Sequence, residues 1–193
     1  MSLDDAGFRQ SSTDEDRRSW DGYVHARAVI DHEHRMIHDG MAFHITHRVV
    51  SLANGASFDI LYSPPAFSFP HLTALLVSLA DSPCDVLSYE NVVTSDDGTA
   101  LTPFNRDRNS TKTARMGVTH SPTITDLGDL VHDRFVPDAG GQGSKSVGII
   151  TPNFGEEWIL KPSTKMMTRV TNNSGGAITL TFEALWYEIS YKS

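Results

Sequence analysis

Apolar and polar positions alternate with a period of two along most of the chain, the signature of strands with one face buried. Ala42 to Val50 reads as a strand, and Asn54-Gly55 as a turn into Ser57–Tyr62, where Phe58, Ile60 and Tyr62 share a face. Asn-Gly between alternating segments is a strong hairpin signal. Pro64, Pro65 and Pro70 interrupt the chain before Leu72–Ala80, whose leucine spacing fits a helix while its proline brackets and doubly apolar character fit a buried strand. We read it as a strand, paired through Asp81-Ser82-Pro83 with another from Cys84 to Val93. Residues 94–112 form a long polar loop of the kind that usually carries function. Strands are expected at 113–120, 130–136, 157–161, 164–171 and 177–191, with a flexible connection at 137–144. A helical spacing appears from Tyr23 to His38, where Val29, Ile30, Met36 and Ile37 are the apolar positions and Gly40 stands where a C-terminal cap belongs.

The last strand changes character along its length. Ile178, Leu180, Phe182, Ala184 and Trp186 make one apolar face, and from Leu185 onward Tyr187, Ile189 and Tyr191 make the opposite face apolar too. Something must cover that second face: another sheet, a bulged crossing or a neighbouring subunit. The fold class expected is therefore all-β, an antiparallel β-sandwich with jelly-roll character, carrying a short N-terminal helix and a flexible N-terminal arm. Residues 1–22 are that arm, being polar and charge-mixed, and residues 23–193 are a single domain without an internal repeat.

The composition narrows the partners. A net charge of −8 disfavours nucleic acid and anionic membrane surfaces. A single cysteine, Cys84, rules out an intramolecular disulfide, and its strand context reads as a buried inert thiol. The first twenty residues lack an apolar core and no run approaches the length of a membrane span, so the expectation is a soluble protein made in the cytoplasm.

Six of the nine histidines fall between His25 and His47. Zinc needs three or four ligands converging on a point. On a helix His34 and His38 share a face, whereas His32 and His34 diverge, and on a strand His44 and His47 point to opposite faces. The metalloprotease spacing is absent, as are a nucleophile elbow and a phosphate loop; Gly140-Gly-Gln-Gly-Ser-Lys145 lacks the required spacing. No catalytic residue, metal or cofactor is assigned, and the histidines are read as wall residues. Asn105-Arg-Asp-Arg-Asn109 places Arg106 and Arg108 in a loop that is either a solvated surface or a docking site that pairs with acidic groups elsewhere.

Three segments, Ile30-Asp-His-Glu-His-Arg-Met-Ile-His-Asp-Gly40 leading to Phe43, Thr102–Ser110, and Glu157–Lys165 with Arg169–Gly175 and Trp186-Tyr-Glu188, resemble tailed-bacteriophage capsid decoration (cement) proteins. The likeness spans most of residues 30–188 and leaves 1–22 outside. It implies a β-sandwich that sits on the capsid exterior as an oligomer, a homotrimer, bridges capsomers and has the major capsid protein and its own copies as partners. It transfers no functional residues. From the residues themselves, Leu185, Tyr187, Ile189 and Tyr191 are the candidate subunit interface, with Arg106 and Arg108 as candidate contacts. The alternatives are a phage neck, tail or fibre-associated adaptor, a cupin-like metal-dependent enzyme using His34, His38 and other histidines, and a carbohydrate-binding sandwich.

Overall fold

The computed structural model describes residues 17–20, 25–28, 32–79, 83–137, 147–150 and 157–189. Among these residues the protein is a sandwich of two antiparallel six-stranded sheets with one short helix. Arg17–Trp20 (β1) pairs with His25–Ala28 (β2) as a separate two-stranded unit. The helical expectation from Tyr23 is therefore corrected: His25-Ala-Arg-Ala28 is a strand, and α1 occupies only His32–His38. The rest of the expected arm lies outside the described residues.

The principal strands follow as β3 (Ala42–Leu52), β4 (Ser57–Ser63), β5 (Phe69–Leu79) and β6 (Cys84–Glu90). A long excursion holds β7 (Val93–Asp96), β8 (Thr99–Ala100), β9 (Phe104–Asn105), β10 (Gly117–His120) and β11 (Thr123–Asp126). The chain then returns through β12 (Asp129–Val136), β13 (Val147–Ile150), β14 (Trp158–Ile159), β15 (Met166–Asn172) and β16 (Ile178–Ile189). The first sheet has the order β13-β5-β16-β3-β9, with β14 also on β5; the second has the order β12-β6-β15-β4-β10-β8.

Both expected hairpins are corrected by this order. Asn54-Gly55 does make a turn, with Gly55 at φ 74, but β3 belongs to the first sheet and β4 to the second. The connection through Asp81–Pro83 likewise joins β5 of one layer to β6 of the other. The turns change layers instead of closing ladders. The expected loop at 94–112 is corrected too: β8 extends the second sheet beyond β10, and β9 extends the first sheet beyond β3. The excursion thus covers the same edge of both layers, which would otherwise expose unpaired backbone groups.

Between the sheets lies one apolar core. Phe43 and Ile45 of β3, Phe58, Ile60 and Tyr62 of β4, and the whole expected row Ile178, Leu180, Phe182, Ala184 and Trp186 of β16 are buried in it. Alternation puts these side chains inward and needs no long-range information to do so. Cys84 is fully buried there, and burial, followed by the nearby Asp85 charge, pushes its thiol up to about 11. On the outside of the second sheet, Leu61 and Met167 are covered by Val92, Ile124 and Leu127 around the paired β7 and β11 strands. A local repeat escaped the sequence reading here. Left-handed Asn91, the turn-forming Asp96 and left-handed Gly98 recur thirty residues on as Ser121, Asp126 and Gly128. Both glycines press against backbone where a Cβ would collide, on His120 O and Glu90 O respectively.

A buried carboxyl sits inside this packing. Glu188 is 1% exposed, and its carboxyl accepts from the backbone N–H of Arg115 and of Met116, from Trp186 Nε1 and from Ser68 Oγ, at 3.0 to 3.4 Å. It fastens the excursion, the β4–β5 loop and β16 to each other. Removing an acceptor from several buried donors costs about 1–3 kcal/mol for each one left unpaired. Glu188→Gln, which presents an amide N–H₂ to backbone N–H donors, is expected to lose about 2–4 kcal/mol of unfolding free energy in urea titration. A loss below about 0.5 kcal/mol would contradict the role assigned to this carboxyl.

Candidate functional site

Three segments far apart in sequence meet on the outer face of the first sheet. The helix α1 packs on β3 and β16 and buries none of its residues fully. Its end is closed as expected by Gly40 at φ 65, with Gly40 N–H bonded to Ile37 O and Met41 N–H to Met36 O, the paired bonds of a Schellman cap.

The excursion is pinned against that helix. Buried Asn105 donates from Nδ2 to Gly40 O and Lys112 O, at 2.9 and 3.0 Å. Lys112 Nζ reaches Asp39 O at 2.7 Å, where the helix C-terminal carbonyls favour a cation. Arg106 Nη1 pairs with Glu33 Oε1 at 2.7 Å. The docking expected of this arginine therefore has an acidic partner within the chain.

Arg108 is placed differently. It is exposed, and its guanidinium lies 5.5 Å from the Phe104 ring centroid. Phe104 is 44% exposed, stands opposite His44 in register and lies 5.9 Å from it between ring centroids. His44 stands opposite Leu185, which is half-buried. Leu185, His44, Phe104 and Arg108 thus form one row across the outer face, joining two of the residues singled out in the sequence. The phenyl ring and the guanidinium over it are side-chain types enriched at protein contacts.

Next to this row the second apolar face of β16 is already covered inside the chain. Tyr187 is 3% exposed; its ring stacks on His71 at 4.6 Å and meets His32 of α1 edge-on at 5.5 Å. The Tyr187 hydroxyl donates to one oxygen of Glu157 at 2.5 Å, and His71 Nδ1 donates to the other at 2.9 Å. Burial acts to raise the Glu157 carboxyl, but the bonds from Tyr187 and His71 outweigh it and hold its pKa below the ordinary value. Ile189 is half-buried, and Tyr191 lies outside the described residues.

The histidines separate by layer. His34 and His38 face solvent on α1 with their Nε2 atoms 2.9 Å apart. His44 points outward. His47, opposite Phe182 in register, points inward and stacks on His120 at 4.4 Å and on Phe58 at 5.3 Å, bridging the two sheets. His132 lies edge-on to Trp158. Among the described residues no group of three or more histidine, cysteine or acidic side chains converges as a metal would require.

A second surface is apolar where the sequence reading assigned no role. The strand β12 ends the second sheet, and its Leu130, Val131 and Phe135 are 52%, 48% and 57% exposed. The signal in the sequence was Leu130, Val131 and Phe135 set among Asp129, His132, Asp133 and Arg134. A β-bulge between Leu130 and His132 breaks the ladder there.

No protein-family model matches the chain, and neither characterised proteins nor solved structures contain a detectable relative.

The inward histidines set a pH dependence. Burial, then the charge of His120, holds His47 below the ordinary 6.5, and burial followed by Arg134 does the same for His132, against an opposing pull from Asp133. The folded state therefore takes up protons less readily than the unfolded chain. The stability these groups contribute is complete above the ordinary imidazole value and is lost as pH falls through it. The thermal midpoint is expected to drop between about pH 7.5 and pH 5.5, and a His47→Gln, His132→Gln double variant to flatten that slope. An unchanged slope in the double variant would contradict the assignment.

Proposed function

We propose that this chain is a non-enzymatic structural protein of a tailed-phage virion, binding the outside of the capsid as a homotrimer and stabilising it by bridging capsomers. The phage assignment rests on the resemblance of the three sequence segments. The observation that carries the adhesive mechanism is the Leu185, His44, Phe104 and Arg108 row, built by remote segments and fastened by Asn105, Arg106 and Lys112. Bridging needs a second contact surface, and the β12 edge of the opposite sheet supplies one.

The strand order supports the jelly-roll reading. Numbered one to eight in chain order, the principal strands β3, β4, β5, β6, β12, β13, β15 and β16 run 6-3-8-1 in one sheet and 5-4-7-2 in the other. Such double Greek keys serve viral capsid proteins, lectins and cupins alike, so the surface and not the fold must choose among them. Adhesion through several modest contacts per oligomer gains from effective concentration, which suits bracing a shell against internal pressure. Residues 1–22 and the exposed side of 94–112 are the proposed capsid contacts, and Leu185 and Ile189 contribute to contacts between copies.

The test is mass measurement in solution followed by co-sedimentation with empty phage heads. A trimer that sediments with heads is expected. The exposed-site double variant Phe104→Ala, Arg108→Glu should fold normally and bind heads at least about tenfold more weakly. A monomer without affinity for heads overturns the proposal. Binding to isolated necks or tails in place of heads would favour the adaptor.

A further inference from the structure

We propose that His34 and His38 form a two-imidazole chelate for a borderline divalent transition ion such as Cu²⁺, Ni²⁺ or Zn²⁺. The pair lies one helical turn apart on α1, so both rings project from the same face. Their Nε2 atoms are 2.9 Å apart and the ring centroids 4.7 Å apart, at an interplanar angle of 53°. That contact is a hydrogen bond in which one Nε2–H points at the lone pair of the other, so the two nitrogens are already within chelating distance and need only ring rotation to turn both lone pairs onto an ion beside them.

The separation fits metal ligation. Two nitrogens bound at about 2.0–2.1 Å lie about 2.9 Å apart when they subtend a right angle at the ion, and about 3.4 Å apart in a tetrahedron. Binding requires the donor ring to move its proton from Nε2 to Nδ1, after which both Nε2 lone pairs are available; no net proton is lost. The flanking carboxylates do not contribute, since Glu33 is held by Arg106 at 2.7 Å and Asp39 faces Arg35 at 3.6 Å. Both imidazoles are exposed, so water fills the remaining positions. The neutral nitrogen donor set selects ions that accept imidazole, with Cu²⁺ bound most tightly, and excludes Mg²⁺ and Ca²⁺, which take oxygen ligands.

The helix gives the chelate a structural consequence. A seven-residue helix is marginal by itself, and an ion clamped across one turn opposes its fraying. Because α1 covers Tyr187 and anchors Arg106, tightening it steadies the outer face of the first sheet.

The experiment is calorimetric titration of the full, metal-free chain with CuCl₂ and with ZnCl₂ in a buffer that does not coordinate metals. It is paired with electron paramagnetic resonance of the copper complex and thermal melting with and without Zn²⁺. Wild type should bind one ion per chain beyond whatever the His34→Ala, His38→Ala double variant retains. Each single variant should weaken that ion's binding at least about tenfold, and His44→Ala should leave it unchanged. The copper spectrum should show two-nitrogen ligation that falls to one in His38→Gln, and Zn²⁺ should raise the melting midpoint of wild type and not of the double variant. His38→Gln serves the same comparison if the alanine variants melt abnormally. Equal copper stoichiometry and affinity in wild type and in a normally folded double variant, or in His38→Gln, overturns the proposal.

Discussion

The carboxyl of Glu188 holds the architecture together. It lies at the point where β16 becomes covered on both faces, and it satisfies two backbone N–H groups of the incoming excursion, the indole of Trp186 and the hydroxyl of Ser68. Buried donors of this kind are costly when unpaired, so their acceptor decides where the segment at 115–116 can lie. The position of β10 follows, and with it the closure of the sandwich edge by β8 and β9. The outer face inherits its geometry from that core contact, because Phe104 and Arg108 belong to the same excursion.

The strand β16 illustrates how one element serves three surroundings. Its inward row fills the core, its buried Glu188 ties down the excursion, and its outward Tyr187 is sealed by His71, Glu157 and α1. Among the apolar outward residues of the strand, Leu185 and Ile189 stay partly open. The apolar second face evident in the sequence has its cover in the helix and in the Glu157 network, within the same chain. The histidines divide along the same lines. His47 stacks across from one sheet to the other, His71 serves the cover, and His34 and His38 stand in solvent.

The strands themselves were legible because burial of one face imposes alternation, and alternation is local. Of the expected elements, Ala42–Val50, Ser57–Tyr62, Cys84–Val93 and the final strand all lie within or overlap observed strands. The ambiguous run from Leu72 is a strand as far as Leu79, and it begins at Phe69, so Pro70 lies within the strand and does not bracket it. The hairpins were misread because an Asn-Gly turn specifies a reversal of direction and says nothing about the partner. Here β3 and β4 reverse into different layers, and their ladders form with β16 and β15, more than a hundred residues away. The two-residue strands β8 and β9 carry no period that a sequence could display. The helix was placed too early because His25-Ala-Arg-Ala28 alternates and is captured by Arg17–Trp20.

The sequence by itself determined an all-β sandwich, the inward row of the last strand, the Gly40 cap and the one-face geometry of His34 and His38. Each follows from periodicity or from a single residue's backbone preference. Only tertiary structure decided that Leu185, His44, Phe104 and Arg108 share a row, that Arg106 spends its charge on Glu33, and that β12 is left as an edge. Those outcomes depend on which strands pair, and pairing is set by the summed burial and hydrogen bonding of segments far apart in the chain, which no local pattern encodes.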